Sequence, residues 1–83
     1  MYTVETRVVG KSVVRAKNLT QAIKIALQDC TATGMDTNIW NDETGRLSSV
    51  VRKDRTRFVI VRFARGIGTT YVLARDGMIG KKV

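Results

Sequence analysis

One segment of this sequence has the periodicity of an amphipathic helix, and it constrains the fold more than any other feature. Its apolar side chains recur at spacings of three and four and form one stripe, made of Leu19, Ala22, Ile23, Ala26, Leu27 and Cys30. Asn18 and Gln21 are placed as a capping box that begins the helix, and Thr33 and Gly34 end it. Because a helix buries its apolar stripe against another element, we expect this helix to pack on a sheet.

Short runs typical of strands, separated by turn residues, make up the rest of the chain. Residues 2–9 alternate between polar and apolar side chains, and residues 12–17 follow a turn at Gly10 and Lys11 as the second strand of a hairpin. After the helix, strands are predicted at 38–41, 46–53, 57–65 and 69–75. The predicted turns are at 42–45, 54–56, 66–68 and 76–77.

Together these patterns predict an α+β fold. One helix packs on a mostly antiparallel sheet of five to six short strands, in the order β-β-α-β-β-β-β. Residues 78–83 are expected to form a disordered tail. No proline, repeat or low-complexity stretch divides the sequence, so we expect residues 1–83 to be a single domain.

The composition argues against several classes of function. The sequence has no histidine and one cysteine, so it lacks the commonest general base and metal ligand and cannot form an intramolecular disulfide. Cys30, at the end of the helical stripe, is expected to be a buried core residue. No secretion signal is recognisable, and no apolar run approaches the roughly 20 residues that span a bilayer. We therefore expect a cytoplasmic, non-enzymatic protein with no cofactor, metal or membrane partner.

The positive charge is confined to the second half of the sequence. Residues 1–45 carry five basic and five acidic residues, whereas residues 46–83 carry ten basic residues against Asp54 and Asp76. The whole net charge of +8 therefore lies in residues 46–83. Six of these basic residues form the predicted binding site for nucleic acid or an acidic partner: Arg52, Lys53, Arg55, Arg57, Arg62 and Arg65. The planar guanidinium group matches phosphate and carboxylate geometry, while the alternative is a solvated strand face that carries charge for solubility.

Two glycine-containing motifs match phosphate-binding elements only in part. The Gly-Lys-Ser at 10–12 copies the end of a phosphate-binding loop, but Glu5 stands where that loop needs a glycine. The Gly-Ile-Gly at 66–68 lacks the third glycine of a dinucleotide fingerprint and lies between two predicted strands. We interpret both as turns of hairpins.

Residues 57–63 interleave aromatic side chains with arginines, which loosely resembles sheet surfaces that stack single-stranded bases. Alternation places Phe58 on one face of this strand and Phe63 on the other, and one of the two faces must pack on the helix. Since the chain has only five aromatic residues, we expect most of them in the core rather than in a stacking surface. Trp40 either anchors the core or lies in an interface, and the sequence leaves both alternatives open.

Residues 14–26, VRAKNLTQAIKIA, resemble a strand-then-helix segment of many small phage-encoded proteins, including some anti-CRISPR proteins. The resemblance covers under a fifth of the chain, and its matching positions are structural, so no functional residue is carried over from it. It implies a small viral protein that acts stoichiometrically on a host nucleoprotein complex. Many anti-CRISPR proteins are acidic mimics of DNA, and a chain with a net charge of +8 departs from that pattern.

The sequence therefore predicts a non-catalytic basic binding protein. The first hypothesis is an anti-CRISPR-like inhibitor or modulator that engages a host nucleoprotein complex or nucleic acid through the basic C-terminal strands. The alternative is an accessory protein that binds DNA or RNA directly and without sequence preference. In a protein-directed inhibitor, the charge would only steer the encounter and apolar contacts would hold the complex.

Overall fold

Seven antiparallel strands and one helix form the fold in the computed structural model, which describes residues 1–6 and 13–83. The elements are β1 (Tyr2–Thr6), β2 (Val14–Ala16), α1 (Leu19–Thr33), β3 (Thr37–Asn41), β4 (Arg46–Asp54), β5 (Arg57–Ala64), β6 (Ile67–Leu73) and β7 (Ile79–Lys82). All strands belong to one sheet, in the order β2-β1-β3-β4-β5-β6-β7. The predicted α+β class, with one helix and an antiparallel sheet, is confirmed, whereas the prediction of five to six strands is wrong.

The additional strand is β7, which occupies most of the segment predicted as a disordered tail. Its partner is β6, with Leu73 opposite Ile79 and Tyr71 opposite Lys82, and a register shift separates the two pairs. Ile79 also packs against the hydrophobic core. A glycine and two lysines within a four-residue strand give almost no periodic signal, so the sequence pattern did not reveal β7.

The helix begins and ends where the sequence predicts. The side-chain oxygen of Asn18 accepts a hydrogen bond from the Gln21 N–H at 2.8 Å, and the Gln21 side chain accepts one from the Lys17 N–H at 2.8 Å. At the other end Gly34 has φ 69°, and its N–H donates to the Cys30 carbonyl at 2.8 Å. The predicted turn at Gly10 and Lys11, with the adjoining ends of the first two predicted strands, lies outside the described residues.

The core lies between α1 and one face of the sheet. The helix contributes five buried residues, namely Ala22, Ile23, Ala26, Leu27 and Cys30. The largest apolar side chains that the sheet buries completely against them are Val4, Ile39, Val51 and Ile60. Burial raises the pKa of the Cys30 thiol, with a further contribution from the charge of Asp36, so this cysteine stays neutral as a core residue.

Strand alternation assigns every strand residue to one of two sheet faces. We call the face that packs on α1 the helix face, and the opposite face the open face. The pairs Thr37 with Val51 and Val51 with Ile60 lie on the helix face, so the pairs one residue along, such as Val50 with Val61, lie on the open face. Among the described residues there is no second helix to cover the open face.

Ser49 provides a direct test of this assignment. It lies on the helix face, is fully buried, and its hydroxyl has no hydrogen-bond partner. Since an unpaired buried hydroxyl is destabilising, we expect Ser49→Ala to raise the free energy of unfolding by about 1 kcal/mol in urea titrations. Ser48→Ala, at a half-exposed neighbouring position, is the matched control and should leave stability nearly unchanged. A loss of stability in Ser49→Ala that Ser48→Ala does not share would contradict the assignment.

Candidate functional site

The sheet distributes the six predicted site residues over both faces and both ends. Arg52 and Arg57 lie on the open face. The pairs Arg52 with Val59 and Asp54 with Arg57 follow the open-face pair Val50 with Val61 at steps of two residues. Lys53 pairs with the core residue Phe58, which places it on the helix face. Arg62, opposite Ser49, is also on the helix face. The predicted cluster is therefore continuous in sequence but divided in space.

The other two predicted residues, Arg55 and Arg65, are turn residues at opposite ends of β5. Arg55 lies in the two-residue turn between β4 and β5, and Arg65 lies in the turn between β5 and β6. Both have left-handed backbones, with φ 59° at Arg55 and φ 53° at Arg65. Gly66 follows Arg65 with φ 78°, and two positive φ values in succession are the signature of a type I′ hairpin turn.

Arginines of the open face and its margin take part in three exposed ion pairs. Arg52 lies 3.4 Å from Asp36, Arg57 lies 3.4 Å from Asp54, and Arg15 lies 3.8 Å from Asp42. Exposed pairs of this kind contribute between 0 and about 1 kcal/mol and are screened by salt. An incoming phosphate could therefore replace any of these carboxylates with little loss of stability.

Most of the cations in the basic half have no acidic partner. Within the described residues, only Arg52 and Arg57 of its ten basic side chains lie within 4.0 Å of a carboxylate. The eight others are Arg46, Lys53, Arg55, Arg62, Arg65, Arg75, Lys81 and Lys82. The surplus charge predicted from the sequence is thus available to an external anion.

Two partly exposed aromatic rings lie on the open face. Trp40 follows the core residue Ile39 in β3, and Phe63, with 36% of its surface exposed, lies near the end of β5. Both rings line one depression, whose floor includes Leu47, Val50 and Val61. Phe58, in contrast, is buried in the core. The sequence left Trp40 open between core and interface, and the structure places its ring on the open face, opposite the core residue Phe58.

The depression around Trp40 and Phe63 continues in both directions across the open face. Toward the β5–β6 turn it shares Leu47 and Phe63 with a second depression, which Arg46 and Arg65 line. Toward the β4–β5 turn it shares Val61 and Arg52 with a third. We call the three together the open-face groove. Its lining combines apolar and aromatic side chains with arginines at both ends, and the carboxylates of Asp36 and Asp54 also line it on the side of Arg52.

Gly68 fixes the position of the Phe63 ring. It is the direct cross-strand partner of Phe63, and a Cβ atom at Gly68 would lie 3.0 Å from Cε1 of that ring and 3.0 Å from Cγ1 of Val61. The ring therefore lies over the glycine backbone rather than beside a side chain. Glycine is needed here because of this close approach. Residues 66–68 were predicted as the turn, whereas Ile67 and Gly68 belong to β6.

A second group of unpaired cations lies on the helix side of the sheet. Lys53, Arg55 and Arg75 line one depression at the C-terminal end of α1, with Leu27, Thr31, Thr56 and Phe58. Two of these cations were predicted as site residues, but Arg75 and the groove residue Arg46 were not. Both lie outside the dense cluster at 52–65, and only the pairing of distant strands and turns brings them close to it.

The chain matches no protein-family model, no curated protein and no solved structure. In the part of the chain that the structure describes, no helix is long and apolar enough to cross a membrane. The same residues contain no group of three His, Cys, Asp or Glu side chains that could hold a metal ion. The geometry and charge of the two faces are therefore the basis for inferring the function.

The two turn arginines should reduce stability, since arginine is disfavoured in the left-handed region. We expect Arg55→Gly and Arg65→Asn each to raise the free energy of unfolding by about 0.5 to 1 kcal/mol, because glycine and asparagine tolerate positive φ and each change also removes an unpaired charge. Urea titrations at low salt measure the effect. Arg62→Asn removes the same charge from a strand position and should not stabilise the protein. Equal gains in all three variants would show that charge alone, and not the backbone, is responsible.

Proposed function

We propose that this protein is a non-catalytic binding protein that engages nucleic acid, either free or within a nucleoprotein complex. The observation that carries the proposal is the set of eight basic side chains in residues 46–83 that lack an acidic partner among the described residues. Unpaired cations at this density attract polyanions, and binding releases the counterions condensed on phosphates. The open-face groove adds an apolar and aromatic surface that a purely solubilising charge pattern does not need.

An inhibitor of the anti-CRISPR kind is the specific biological form of this proposal. A stoichiometric protein that occupies the nucleic-acid-binding part of a host nucleoprotein complex needs a folded scaffold, an anion-binding surface and no catalytic groups. A sheet with one covered face and a basic half supplies both the scaffold and the surface. The strand-then-helix segment at 14–26 forms β2 and the first half of α1, so its contribution is structural.

A protein partner held by apolar contacts is the second candidate. The observation that favours it is the group of apolar side chains on the open face, with the exposed Arg52–Asp36 ion pair beside them, since protein interfaces combine an apolar centre with a polar rim. In that case the unpaired cations would only steer the encounter. Neutralising Arg55 and Arg65 would then slow association and leave the dissociation rate nearly unchanged.

The salt dependence of binding tests the nucleic-acid proposal. We expect oligonucleotides to bind at low ionic strength, with a slope of log affinity against log salt near −0.7 per phosphate contact for single strands and near −0.9 for duplexes. Fluorescence anisotropy of labelled oligonucleotides over a salt series gives both the affinity and the slope. Binding to neither form at low salt, or an affinity that does not change with salt, would rule out direct nucleic-acid binding.

A further inference from the structure

We propose that the open-face groove is a binding site for single-stranded nucleic acid, with one base stacked on Trp40 and another on Phe63. This inference rests on the proposed function and specifies the face and the form of nucleic acid involved. Double-stranded nucleic acid hides the faces of its bases, whereas a single strand presents them to any exposed ring.

The rings are placed so that one strand can contact both. Trp40 lies on β3 and Phe63 on β5, with β4 between them, so two interstrand spacings separate their backbones by roughly 10 Å. Leu47, Val50 and Val61 line the same depression as the two rings, and Asp36, Asn38 and Arg52 complete its lining. Stacking on aromatic rings tolerates any base, since every base has a π face.

The charges around the groove match a strand that crosses it. Arg65 and Arg46 line its end beyond Phe63, and neither has an acidic partner among the described residues. Arg46 pairs with Asn41 at the start of β4, a helix-face position, so it lines the groove only at the margin of the sheet. Arg52 lines the other end, in a single exposed contact with Asp36 that a phosphate can replace. A single strand on a sheet surface typically stacks its bases on central aromatic rings and places its phosphates beside arginines at the margins.

The helix-side depression is the competing anion site, and the groove fits a strand better. Lys53, Arg55 and Arg75 converge there, but its aromatic residue, Phe58, is buried at 8% exposure and offers no free ring face. That depression also adjoins the C-terminal end of α1, where the helix dipole disfavours anions. It therefore contributes long-range attraction rather than the stacking contacts.

Trp40 is the only tryptophan, so its fluorescence reports on the groove directly. The full chain is titrated at low salt with a labelled oligothymidylate of about 12 nucleotides and with the matching duplex. We expect the single strand to quench Trp40 emission and to bind more tightly than the duplex. We expect Phe63→Leu to weaken single-strand binding about tenfold and to leave duplex binding unchanged.

Two matched comparisons separate the groove from general charge effects. Ile67→Ala removes an exposed apolar side chain on the helix face beside the same turn, and it should bind the single strand as the wild type does. Arg65→Asn and Arg55→Gly each remove one charge from a turn, but only Arg65 lines the groove. Arg65→Asn should therefore weaken single-strand binding more than Arg55→Gly does. Thermal melts of each variant serve as the control that the variant is folded.

The outcomes distinguish this inference from the proposed function. If oligonucleotides bind but Trp40 emission stays constant and Phe63→Leu binds normally, the groove is not the site, while nucleic-acid binding stands. Tighter binding of the duplex than of the single strand would likewise show that the groove is not the site, while nucleic-acid binding stands. If neither oligonucleotide binds at low salt, both the inference and the proposed function are wrong. A Trp40 emission shift that depends on protein concentration, with dimers in sedimentation and no single-strand binding, would assign the groove to a second copy of the chain instead.

Discussion

The structure depends on one constraint, which is that residues 1–6 and 13–83 provide one helix to cover a seven-stranded sheet. Helix α1 has 15 residues, so it is about 22 Å long and about 10 Å wide. Six interstrand spacings make the sheet about 29 Å wide. A helix of this size covers only part of one face, mainly β1, β2, β3 and β4, and among the described residues no second layer covers the other face. The alternation of each strand then determines which side chains are buried under α1 and which remain on the open face.

Given this constraint, the open face is more apolar than a solvent-facing sheet surface normally is. The strands at the centre of the sheet carry apolar side chains on both faces, as the pair Val50 and Val61 on one side and Val51 and Ile60 on the other shows. A sheet with one wet face would normally alternate between apolar and polar residues. On the open face Leu47, Val50 and Val61 are half-buried and Val59 is buried. A surface of this kind, on a protein with a net charge of +8, suits a ligand that is both flat and anionic.

The local sequence pattern predicted most helix and strand positions, whereas the composition of the candidate site depends on which distant strands pair. Asn18, Gln21 and Gly34 mark the helix ends by side-chain and backbone chemistry that acts over four residues, so the sequence was sufficient there. Strand β7 was missed because its pairing with β6, and not its own composition, stabilises it. Arg52 and Lys53 are neighbours in sequence but lie on opposite faces. This follows from the predicted strand, since successive side chains of a strand point to opposite faces. That Trp40 and Phe63 share a groove could not be predicted, since it depends on the order of strands β3, β4 and β5.

The central claim is that the open face, and not the face covered by α1, receives the nucleic acid. Amide chemical-shift mapping by NMR during titration with a single-stranded oligonucleotide tests this most directly. The account predicts that the indole N–H of Trp40 and the amides around Phe63 and Arg65 shift with a common binding constant, while the amides of α1 remain unchanged. Shifts that centre on Lys53, Arg55, Arg75 and the C-terminal end of α1, with Trp40 unaffected, would contradict it.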